Sequence, residues 1–375
     1  MARALARREG GGPWISLYHA LRDAVASDII CCPGSSIVEE EGELAGAMSA
    51  QIVTLSRELA SPGLQHELWI REVQVFNALK RFLSGEDPAP LARQDPRDAF
   101  YGRVHIWTGS LNIIINSRTP EPWIQDRREA KEMARDALQD VYQRYADEGL
   151  DFDAIRSREA SALGPTIESE GKREIRQKLG LEPVPAGFDL TNLLFPSPYE
   201  KLIVQVGILA GIRQREAFSA VDRFLRSEHL ARIPSAFISS TLHAALAMTA
   251  RGKFPRAVGL GDRYDIAHLS TYVPYTDMFI ADGFFASLCN QANSRVGEPF
   301  DCEILSIGPG DVESFADRLG QLASESPQAS LKKRIRQAIS DGGATEDFIK
   351  RANAYLGRRA SPGASDSGDP GDKPG

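Results

Sequence analysis

Apolar and polar positions alternate along the chain with two different periods. Between residues 14 and 26, Ile15, Leu17, Tyr18, Leu21 and Val25 recur at close to helical spacing, and Asp28-Ile-Ile-Cys-Cys then reads as a short buried strand stopped by Pro33-Gly34. Ser35 or Ser36 can cap a following helix that opens with Glu39, Glu40, Glu41 and Glu43 near its positive end. From about 51 to 235 helical patterns dominate, as in Leu68/Val75/Leu79/Leu83 and Met133/Ala137/Val141/Tyr145. Breakers separate them: Asp87-Pro-Ala-Pro, Thr119-Pro-Glu-Pro and Pro183-Val-Pro. Within that stretch only 104–115 hints at strand, as a hairpin around Gly109.

Strand-helix alternation returns after Ile233-Pro234. A helix is predicted over 236–251, where the small residues Ser239, Ser240, Ala244, Ala245 and Ala247 would allow close packing. A second helix starts from an N-cap at Asp262, and Asp277-Met-Phe-Ile-Ala follows as a strand ending at Asp282. Phe284 opens another helix, 302–307 gives one more strand and 312–323 one more helix. A basic helix over 331–339 carries Lys332, Lys333, Arg334 and Arg336. The simplest assembly is an α/β fold, a parallel sheet flanked by helices, built from 13–50 and 236–325 and interrupted by a mostly helical insertion, 51–235. A C-terminal helical segment, 326–357, and a disordered Pro/Gly/Ser/Asp-rich tail, 358–375, complete the chain. Ligands of such sheets bind beyond the carboxyl ends of the strands, where Asp282 falls.

Composition adds limits. The 375 residues are 42% hydrophobic and 25% charged, ordinary for a globular protein. No apolar run approaches the roughly 18 to 20 uncharged residues of a bilayer span, so a cytoplasmic protein without membrane contact is expected. Cys31, Cys32, Cys289 and Cys302 show no metal-binding spacing and read as free thiols. No Walker or Rossmann glycine pattern occurs. A formal charge of −7 argues against a wholly basic nucleic-acid-coating surface, but acidic residues gathered in one place could hold a cation.

If both strand-bearing stretches share a sheet, Glu39 or Glu40, Asp265 and Asp282 meet at one edge. Clustered carboxylates repel, and a Mg²⁺ or Mn²⁺ ion with its preference for oxygen ligands offsets that repulsion. The run from Asp265 through His268-Leu-Ser, Pro274-Tyr and Asp277 to Asp282-Gly-Phe-Phe, with Cys32-Pro-Gly-Ser35 before a Glu-bearing helix, resembles PIN-like metal-dependent nucleases. That resemblance implies a PIN-like sheet, a Mg²⁺ or Mn²⁺ cofactor and an RNA (or DNA) substrate. It implies catalytic and metal-holding roles for Glu39 (or Glu40), Asp265 and Asp282, with Asp277 a less central acidic position. PIN domains open with a strand carrying an Asp, and 1–12 holds neither, so an N-terminally truncated chain or a lost ligand is expected.

Blander readings stand beside each of these. Asp262 and Asp265 can serve only as helix-start acids, and Glu39 to Glu43 can be a solvated helix end. His268 lies one turn beyond Asp265, suited to a structural hydrogen bond, and Tyr272 and Tyr275 to packing. Lys332, Lys333, Arg334 and Arg336, like Lys172, Arg173, Arg176 and Lys178, can grip a phosphate backbone or form a solvated face. Two functions follow: a metal-dependent nuclease, expected to be an endoribonuclease, or a catalytically inactive scaffold that binds nucleic acid or a protein through the helical insertion.

Overall fold

The structure is a computed structural model that describes residues 11–26, 30, 32, 54, 59, 67–89, 91, 94, 95, 99, 121–183, 196–251, 256–308 and 310–325. The first helices are α1 (Gly11–Ala26), α2 (Glu67–Ser84), α3 (Glu121–Asp147) and α4 (Phe152–Lys178). Next come α5 (Pro198–Ala210), α6 (Gln214–Leu225), the single turn α7 (Glu228–Ala231) and α8 (Pro234–Ala250). After α9 (Asp262–Tyr272) and a 3₁₀ turn (Val273–Tyr275), β1 (Met278–Ile280), α10 (Gly283–Asn293), β2 (Glu303–Leu305) and α11 (Val312–Glu325) complete the described chain.

Several helix starts are written in the local sequence. Ser197 caps α5, with Pro198 in the first turn and Glu200 reaching back to the Ser197 N–H, a reciprocal capping box. Asp151 caps α4 by accepting from the Ala154 N–H at 2.8 Å. The helices meet in two main buried clusters. One joins Tyr142, Phe152 and Ile155 of α3 and α4 to Leu242 and Leu246 of α8, Ile266 and Leu269 of α9, and Phe285 and Leu288 of α10. The other packs α2, α5 and α6 around Leu79, Tyr199, Val221 and Phe224. A smaller cluster seats α1 on α11, with Met278 and Leu305 of the strands against it. The first cluster crosses residue 235, so helices of the 51–235 stretch and the strand-bearing stretch share one core.

The expected α/β fold, a PIN-like parallel sheet flanked by helices, is overturned. The described residues are mostly helical, and their only sheet is the parallel pair β1-β2, in register Met278↔Glu303, Phe279↔Ile304 and Ile280↔Leu305. Helical apolar faces are buried against other helices, which leaves no large sheet for them to cover. Of the 28–33 run only Ile30 and Cys32 are described, and neither is in a strand; the Ile30 N–H bonds back to the Ala24 carbonyl. The expected 104–115 hairpin, the 331–339 helix and the tail lie outside the described residues. Among the described residues no helix is long and apolar enough to cross a membrane.

Candidate functional site

The loop before α9 is built around one buried carboxylate. Val258 is buried in the first cluster, and its N–H donates to Gln139 Oε1 of α3 at 3.1 Å, which anchors the loop. Asp262, 2% exposed, receives Arg256 through two parallel bonds, Nη1 to Oδ2 at 2.6 Å and Nη2 to Oδ1 at 2.9 Å. Its Oδ2 also accepts the Gly259 N–H at 2.8 Å. A side chain at position 259 would collide, because a Cβ there would lie 2.8 Å from Asp262 Oδ1. The helix cap falls at Gly261, one residue before the expected Asp262, and Asp262 occupies the first turn as a buried acid.

Arg256 connects this acid to the two others that spacing singled out. Its guanidinium lies 3.8 Å from the centroid of the Phe284 ring. The hydrogen bond to Asp262 holds its pKa above the ordinary arginine value, with the charges of Asp262, Asp282 and Asp265 adding to the effect. Asp282 lies two residues past β1 and caps α10, its Oδ1 accepting the Phe285 N–H at 2.8 Å. Asp265 is half-buried in the first turn of α9. The Cys289 thiol, buried in the first cluster, is pushed up to about 12 by burial first, then by Cys302, Asp282 and Asp265. Asp265, in the first turn of α9, and Asp282, just past the carboxyl end of β1, both act electrostatically on the Arg256 guanidinium and the Cys289 thiol.

Other candidates take separate places. Asp277 is exposed at the start of β1, where its carbonyl accepts the Glu303 N–H at 3.0 Å. His268 packs edge-on to Tyr272 and Phe279, with ring centroids 5.0 and 5.1 Å away, and burial lowers its pKa to about 4. Its contacts are aromatic, not a hydrogen bond to Asp265. Tyr272 and Tyr275 are buried, and the Tyr275 hydroxyl accepts from Gln74 at 3.0 Å, so both pack and neither presents a stacking face. In the basic run of α4, Lys172 pairs with Glu168 and Asp222, Arg176 with Glu182 and Lys178 with Glu200. Those three charges are committed within the chain. Glu39, Glu40, Lys332, Lys333, Arg334 and Arg336 lie outside the described residues.

Among the described residues no three His, Cys, Asp or Glu side chains are grouped to hold a metal ion. Asp262 has both oxygens engaged by Arg256 and Gly259, which removes it as a ligand. The carboxylates of Asp265 and Asp282 are oxygen donors of the kind Mg²⁺ or Mn²⁺ takes, since Mg²⁺ is commonly held by one or two carboxylates with water and substrate phosphate filling the other positions. Arg256 escaped the sequence reading because an arginine in a loop carries no periodic signal; its one trace is a cation shortly before a Gly-x-Gly-Asp turn. No family model, curated protein or solved structure matches the chain.

Proposed function

We propose that this protein hydrolyses phosphodiesters, RNA being the expected substrate, with Mg²⁺ or Mn²⁺ held by Asp265 and Asp282. The observation that carries this reading is the placement of Asp282 just past the carboxyl end of β1 and of Asp265 in the first turn of α9, with the charges of both acting on Arg256. A bound divalent ion would supply an activated water and stabilise charge on the phosphoryl oxygens. The chain's own contribution is positional. Its bond to the Phe285 N–H fixes the Asp282 carboxylate while Oδ2 makes no hydrogen bond among the described residues. Arg256, clamped by Asp262 and seated on Phe284, limits the repulsion between Asp265 and Asp282. The RNA preference rests on the likeness of the 265–284 run to PIN-like nucleases, and Glu39 or Glu40 would complete the ligand set.

Cleavage of single-stranded RNA in Mn²⁺ tests this. Wild type is expected to cleave, and Asp265→Asn and Asp282→Asn are expected to abolish cleavage; Asn is as good a helix cap as Asp, so the second change spares the fold. No cleavage by wild type, or undiminished cleavage by both variants, overturns the proposal.

Arg256 itself favours a second reading, in which the chain binds nucleic acid or protein without catalysis, because this guanidinium offsets part of the acids' charge without a metal ion. That reading expects RNA binding with steep salt dependence and no turnover in Mn²⁺.

A further inference from the structure

Helices α2, α4, α5 and α8 leave a cavity of about 650 Å³ between them, within the range of small-molecule sites. We propose that this cavity binds a small amphipathic organic acid, an apolar body with a single carboxylate head that docks on Arg71. The body is matched by the walls: Val75 from α2, Leu163 and Ile167 from α4 and Leu202 from α5, with Leu68 exposed on α2. Space exists because α8 turns Ala236, Ser239 and Ser240 toward it, none long enough to cross.

The charged lining determines the head group. Glu72 and Lys201 bond to each other and so neutralise one another. The Tyr142 hydroxyl and His243 Nδ1 share a hydrogen bond at 2.7 Å, and burial favours the neutral ring by lowering its pKa. Glu159 accepts from the Tyr145 hydroxyl at 2.7 Å and repels any second anionic group on its side of the cavity. Arg71 differs from these. It spends only Nε, donating to Thr271 Oγ1 at 3.2 Å, and its two terminal nitrogens make no hydrogen bond among the described residues. A half-buried guanidinium with two parallel donors left over matches a carboxylate in both charge and shape.

Titration calorimetry of the full chain with decanoate and with decan-1-ol tests the assignment. One saturable decanoate site is expected. Arg71→Met should weaken decanoate by about tenfold, the scale of a lost hydrogen bond to a charged group, while leaving decan-1-ol unchanged. Ala236→Trp, which fills the cavity, should abolish binding of both, with circular dichroism and thermal melting showing that the variant is folded. If Arg71→Met does not fold, Arg71→Lys, which keeps the charge but loses the fork, is expected to weaken decanoate in the same selective way. The proposal is overturned if folded wild type shows no saturable decanoate binding, if the Arg71 variant binds decanoate as tightly as wild type, or if Ala236→Trp leaves binding intact.

Discussion

Single residues here are governed by what surrounds them more than by where they fall in the sequence. His268 shows this for protons. Its ring is packed among aromatic edges and stays neutral in the folded chain, with its pKa pushed from the ordinary 6.5 to about 4. Between those values the unfolded chain binds the proton and the folded chain does not, so this contribution to stability is present above pH 6.5 and is lost as pH falls toward 4. His243 shifts in the same direction. Urea denaturation at about pH 7 and about pH 5 should therefore show a smaller loss of stability for His268→Phe than for wild type. Equal losses would mean that the ring does not titrate in this window. The placement of the acids was partly legible at this scale. Helical and strand spacing placed Asp265 at a helix start and Asp282 beyond a strand, and both lie there. The Arg256 clamp was not legible, because a contact from a loop to a helix start depends on tertiary closure and leaves no period in the sequence.

At the scale of elements, close approach is set by glycine. On α4, Gly164 and Gly171 are seven residues apart and so lie on one face. A Cβ at 164 would fall 1.8 Å from the Leu225 carbonyl oxygen, and one at 171 would fall 2.2 Å from Tyr199 Cβ. Tyr199 cannot retreat, being fully buried with its hydroxyl bonded to Asp222. Gly171→Ala should therefore destabilise by about 1–3 kcal/mol through overpacking, although alanine is the better helix former by about 1 kcal/mol. Gly320→Ala on α11, where a Cβ meets nothing within 4 Å, should instead gain stability, and urea midpoints of the two variants check the contrast. Helices were the best-read elements: the 14–26, 236–251 and 312–323 patterns correspond to α1, α8 and α11. The unit β1-α10-β2 also appears where alternation placed it. The wider sheet failed because strand count depends on distant pairing, whereas hydrophobic periodicity reports only local geometry. Of the small residues on α8 read as a close-packing face, Ala244, Ala245 and Ala247 pack in the first cluster, while Ser239 and Ser240 border the cavity.

Over the whole molecule, the packing makes residues distant in sequence depend on one another. Gln74 of α2 is buried, donates to Tyr275 and accepts the Ser235 N–H at 2.9 Å, so it ties the start of α8 to the turn after α9. Arg71 adds a bond from the same helix to Thr271. Helix α8 is the common wall: Leu242 and Leu246 enter the first cluster, while its Ser239 and His243 side faces the cavity. A helix held by α3 and α4, by α9 and α10, and at its first turn by α2 cannot open without undoing several neighbours at once. Its central amides, from Leu242 to Leu246, should consequently exchange with deuterium only through global unfolding, and their exchange free energy should equal the stability measured by denaturant. Faster exchange there than in α11 would reveal that α8 opens as a unit of its own.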